Sequence, residues 1–144
     1  MKKLLLAMSL VCLSTLAYSQ KKESKEKDTE VPAVVQKAFQ KAYPNVKAEW
    51  ENEDGNYEAG FTYKGQEMSI LYNAQGVLEE KEMEIKVSQL PSLASSYVAK
   101  KQLGKIKEAS KITKANGTVM YEAEVASGDA LFDAHGNFVK LQKD

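Results

Sequence analysis

The stretch ILYNAQGVL at residues 70–78 is written again, with small changes, as ALFDAHGNFV at residues 130–139. Each passage runs from an apolar residue through Leu, an aromatic, Asn or Asp, Ala and a polar residue to Gly. The apolar start suits a strand. The Asx–Ala–polar–Gly end suits a tight turn, because an Asn or Asp side chain bonds its own backbone and Gly takes positive φ without steric cost. A strand-and-turn phrase repeated about 60 residues downstream implies that its surroundings are repeated as well.

Working outward, the flanks do repeat. Val31-Pro32 opens a helical stripe in which Val31, Val34, Val35, Ala38, Phe39, Ala42 and Tyr43 fall on one face. Leu90-Pro91 opens a second, with Leu90, Leu93, Ala94, Tyr97 and Val98. Each Pro suits a first turn, where its missing N–H is no loss; Pro44 ends the first helix, and Ser88 is a candidate cap for the second. Strand patterns follow each helix. They cover 47–51, 57–63, 66–72 and 77–87 in the first half, and 106–114, 118–126, 129–132 and 137–141 in the second. Tyr57-Glu58-Ala59 answers Tyr121-Glu122-Ala123. Turns as short as Lys64-Gly65 favour antiparallel neighbours.

The expected fold is therefore α+β: two tandem repeats, residues 31–87 and 88–144, each a helix packed on a four-stranded antiparallel β-meander. One helix covers one face of each sheet. The two sheets either join edge to edge into one surface or remain separate lobes.

The chain start reads as a leader. Lys2 and Lys3 precede an apolar run, Leu4 to Leu13, that is too short for a bilayer span of roughly 20 residues. Ala17-Tyr18-Ser19 supplies small residues at a cleavage site, so residues 1–19 are expected to be a signal peptide and the protein periplasmic or secreted. Residues 20–30 (QKKESKEKDTE) carry no apolar residue and are expected to be a flexible charged linker. The full chain balances 20 basic against 20 acidic residues, and loss of Lys2 and Lys3 leaves about −2. That is no footprint for nucleic acid. All basic residues are Lys, so no bidentate guanidinium clamp is available. The lone cysteine, Cys12, lies within the leader.

The Leu/Val-Pro helix start, the Tyr-Glu-Ala strand and the Leu-aromatic-Asp/Asn-x-x-Gly turn, recurring twice in order, resemble the PepSY-like family of small exported bacterial proteins. That family is similar in architecture to the tandem-repeat β-lactamase inhibitor proteins. The resemblance spans about 110 residues, from Val31 to Leu141. It implies a binding or inhibitory role. The expected partner is an envelope or extracellular protein, and no cofactor is expected.

Residues for catalysis are sparse. The sole histidine, His135, sits in the turn where the first repeat has Gln75, which marks an ordinary turn position. There is no Gly-x-Ser-x-Gly elbow, and the loop around Asp133 lacks an EF-hand's alternating carboxylates. No enzyme is expected. The acidic run Glu79, Glu80, Glu82, Glu84 suits a solvated face or a charged sheet edge, or else a metal or cationic-partner site. The function expected is non-enzymatic binding through the sheet face that the helices leave open, with inhibition of a hydrolase or peptidase as its sharper form. Trp50 and Tyr63 are the candidate protein-binding residues if they stand on that face; the favoured alternative is that they bury in the core, as large apolar groups usually do. A small-molecule or metal-binding envelope protein, or a structural envelope protein without a single partner, is the alternative. No membrane insertion is expected after leader removal.

Overall fold

The computed structural model describes residues 30–143. The expected leader and most of the expected linker lie outside them. The chain runs α1 (Ala33–Ala42), β1 (Glu49–Glu53), β2 (Asn56–Tyr63), β3 (Gln66–Tyr72), β4 (Leu78–Ile85), a short 3-10 turn (Val87–Gln89), α2 (Ser92–Lys100), β5 (Ala109–Lys114), β6 (Val119–Val125), β7 (Gly128–Asp133) and β8 (Phe138–Gln142). All eight strands form one antiparallel sheet in sequence order. The joined-sheet alternative is the one realised: β4 pairs β5 from Glu80↔Lys114 to Ile85↔Ala109, while the chain crosses between them through α2.

Each proline stands one residue before its helix, at the N-cap, with φ near −55° and ψ of 139°. Its carbonyl accepts from the first helical amides: Pro32 O from Val35 and Gln36, Pro91 O from Ala94 and Ser95. Ser88 is therefore not the cap of α2; it lies in the preceding 3-10 turn, displaced by Pro91.

Both helices lie on the same face of the sheet, over separate cores. Under α1, Val35 and Phe39 pack with Ala59, Phe61, Met68, Ile70 and Tyr72. Under α2, Ala94 and Val98 pack with Ala109, Ala123, Val125, Ala130 and Phe132. Matched positions bury matched residues, such as Tyr72 and Phe132, or Ala59 and Ala123. Full burial of a ring such as Phe132 contributes about 2–3 kcal/mol.

The repeated phrase makes the same device twice. A register shift falls between Leu71 and Tyr72, and again between Leu131 and Phe132. The turn follows at once. Asn73 Oδ1 accepts from the amides of Gln75 and Val77, each at 3.0 Å. Asp133 Oδ1 accepts from those of His135 and Asn137, each at 2.9 Å. Gly76 and Gly136 then turn with φ of 78° and 88°, against the backbone of Val34 and against Pro91 respectively. The phrase thus ends by docking a hairpin turn on a helix start.

Candidate functional site

Strand alternation assigns every paired residue to the helix face or to the opposite, open face. The registers Trp50↔Ala59↔Ile70 and Phe61↔Met68↔Met83 belong to the helix face, because Ala59, Ile70, Phe61 and Met68 lie in the α1 core. The alternate positions make the open face. No described helix belongs to it.

This assignment corrects the open-face placement of Trp50 and Tyr63. Both lie on the helix face, half-buried against the α1 core. The Trp50 ring meets Phe39 edge-on, with centroids 5.5 Å apart. The Tyr63 ring meets Tyr43 edge-on at 5.2 Å. For Tyr63, period two along β2 already ties it to Phe61. For Trp50, the deciding fact is its register against Ala59, which local sequence does not contain.

The open face is acidic. On β1 each of its positions is a glutamate: Glu49, Glu51 and Glu53. On β4 the same holds for Glu80, Glu82 and Glu84. Glu58 of β2 and Glu67 of β3 stand between these two rows. In the second repeat, β6 supplies Glu122 and Glu124, and β7 Asp129 and Asp133. Against these, the basic residues at paired positions of the face are Lys114 and Lys140. Lys114 pairs with Glu80 across β4 and β5. Among the described residues, most lysines sit on the helices, the connections and the helix face, although Lys107 of the connection before β5 reaches open-face Glu124 at 3.8 Å.

The floor between the carboxylates is small or apolar. Ser69, Ser110, Ile112 and Leu131 are buried, the last two at 5% and 7% exposure, although they belong to neither helical core. Their cross-strand neighbours include Glu82, Met120, Glu122 and Lys140, whose long side chains flank them.

The carboxylates crowd most at the β1–β2 edge. Glu51 and Glu58 are directly opposed across the strands, an arrangement of like charges that is destabilising. Partial burial, then the charge and hydrogen bond of Glu58, then the charges of Glu51 and Glu80, push the Glu53 carboxyl up to about 7. Partial burial, with the charges of Glu58 and Glu49, raises Glu51 as well.

The acidic run is thus divided. Glu80, Glu82 and Glu84 share the open face, whereas Glu79 lies at the register shift and accepts from Asn73 Nδ2 at 2.8 Å. Because β4 pairs with both β3 and β5, the run lies in the middle of the sheet, and the charged-edge expectation does not hold for it. Among the described residues, no three carboxylate, His or Cys groups are grouped to hold a metal ion, and no helix is long and apolar enough to cross a membrane. His135 is exposed in its turn, with its amide bonded to Asp133. A cleft of about 420 Å³ lies away from the open face, between α2 and the following connection, lined by residues including Val98, Lys105 and Ile106. The acidic alternation was available in the sequence, in Glu49-x-Glu51-x-Glu53 and Glu122-x-Glu124; the register that gathers it onto one face was not.

No family model matches the chain, and no curated protein does. Solved structures do. A protein from Bacteroides eggerthii, described as a candidate periplasmic protein, is similar with a TM-score of 0.70 at 17% identity, over 80% of this chain and 90% of its own. A DUF2874 family protein from Bacteroides uniformis is similar with a TM-score of 0.63 at 19% identity, over 78% and 88%. A BLIP-like protein from Bacteroides fragilis is similar with a TM-score of 0.58 at 19% identity, over 78% and 86%. At these identities the likeness shows the fold.

Proposed function

We propose that this is an exported, non-enzymatic binding protein whose open sheet face receives a protein partner. The observation that carries the reading is that both helices cover one face of an eight-stranded sheet and leave the other to its own side chains. A broad, stiff sheet face presents many groups at fixed spacing, which suits recognition of a surface better than enclosure of a small molecule. Export follows from the leader-like residues 1–19 and accords with the periplasmic description of the Bacteroides eggerthii neighbour. The BLIP-like description of the Bacteroides fragilis neighbour favours a sharper form, in which the occupied face blocks a hydrolase or peptidase. The PepSY-like pattern of the two repeats is compatible with both.

The test is capture of a partner from an envelope extract of the source organism by the immobilised chain and by face-specific variants. Thr62→Trp and Met120→Trp place bulk on the open face, and Gln40→Trp places it on exposed α1. Capture is expected to be lost with the first two and kept with the third. Capture unaffected by either open-face variant would overturn the reading. The captured protein, if a hydrolase, is then assayed with and without the chain; the sharper form expects lower activity.

A further inference from the structure

Among the described residues, carboxylates outnumber lysines on the open face. Carboxylates occupy most polar positions of the open face, and rows of them stand on neighbouring strands. A net charge near zero does not produce this pattern; the pattern is local, and local fields select partners and speed their encounter. The arrangement works against the fold. Glu51 opposes Glu58 directly, and at the same corner partial burial, followed by the charges of Glu58, Glu51 and Glu80, raises the Glu53 carboxyl. A cationic surface laid on the face would relieve that repulsion. Between the carboxylates the apolar floor is partly exposed at Leu71 and Met120, whereas Ile112 and Leu131 lie buried beneath their neighbours. Lysine and arginine combine an apolar stem with a charged head, and a floor rimmed by acids accepts both parts.

Building on the open-face reading above, we propose that the partner presents a lysine- or arginine-rich protein surface. Its cationic heads meet the glutamates of β1 and β2, and its alkyl stems rest on the partly exposed Leu71 and Met120. Nucleic acid and anionic lipid surfaces are repelled by the same charges.

The experiment is an amide chemical-shift titration of the chain from Gln20 onward with a decalysine peptide at low salt, and with decaglutamate as the control. Shifts are expected along open-face positions of β1 to β4, with decaglutamate giving none. Raising the salt from about 50 to about 300 mM is expected to weaken decalysine binding at least tenfold, as screening shortens the reach of these charges. A combined Glu49→Gln, Glu51→Gln, Glu58→Gln variant, whose amide dispersion reports that it is folded, is expected to bind at least tenfold more weakly. No decalysine shifts, shifts confined to the helix side, or equal binding by the triple variant would each overturn the proposal. So would a peptide of residues 20–29 that shifts the same resonances as tightly as decalysine, since the occupant would then be the chain's own lysines. If decalysine fails while capture from extract still depends on Thr62 and Met120, the open-face reading stands and only the cationic partner falls.

Discussion

Gly136 and Pro91 are set so close that no side chain fits between them: a Cβ on Gly136 would stand 2.7 Å from that of Pro91 and 3.0 Å from the Ala94 amide nitrogen. The glycine also carries φ of 88°. The hairpin turn of the second repeat therefore rests directly on the start of α2, and the conformational freedom of one residue couples sheet to helix. Gly76 stands against the backbone of Val34 in the same way, with 3.0 Å to its carbonyl oxygen.

Gly136→Ala is accordingly expected to lower stability by about 3 kcal/mol, combining left-handed strain with a forced shift of the helix start. Gly65→Ala is the control, because Gly65 has φ of 80° but nothing within 4 Å of the added Cβ. It is expected to cost about 1 kcal/mol. Urea unfolding of both variants checks the difference; equal losses would mean that the docking contact contributes nothing.

Trp50→Ala is expected to cost about 2 kcal/mol, below the full range for a core tryptophan because the ring is half-buried. The loss comes from its edge-on contact with Phe39. Tyr63→Ala is expected to cost less, as it leaves Phe61 and Tyr43 in contact at 4.7 Å. Thermal unfolding measures both. Partner capture by the same folded variants tests whether either ring also touches the partner; unchanged capture would leave them a packing role only.

The Glu53 carboxyl makes stability pH-dependent. Its folded pKa, about 7, lies above the ordinary value of 4.5. The folded state therefore holds a proton that the unfolded chain has released between those values. The associated stability is fully present below pH 4.5 and is lost as pH rises through 7. The groups facing Glu53 are Glu58, Glu51 and Glu80, with Lys114 paired to Glu80. Glu53→Gln is expected to flatten the decline in stability between pH 5 and pH 8, as measured by urea midpoints; an unchanged slope would assign the decline to other groups.

Asp133 works in the opposite direction. Hydrogen bonds from the Asn137 side chain and backbone, and from the His135 amide, hold its carboxyl below the ordinary value of 3.8. Its contribution is present above that value and is lost as pH falls through the lowered one. Asp133→Ala is expected to lower the melting temperature at neutral pH, and Asp133→Asn to restore most of it by copying Asn73 of the first repeat. Equal melting temperatures for the two variants would mean that these turn bonds do not matter.

Local pattern determined much of this protein. The helix positions Val35, Phe39, Ala94 and Val98, the alternation of Tyr57, Ala59 and Phe61, and the Asx–Gly turns each depend on residues a few positions apart and are legible in the sequence, although Val34 and Leu93 of the same stripes stand exposed. Duplication followed from their order. Tertiary structure alone decided three things: that β4 joins β5 so that the two meanders form one sheet, that Trp50 sits opposite Ala59 and so under α1, and that glutamates from separate strands gather on one face. Each is a pairing between distant strands. A strand's own sequence says which of its residues alternate, but only its neighbour's register says which side of the shared sheet they occupy.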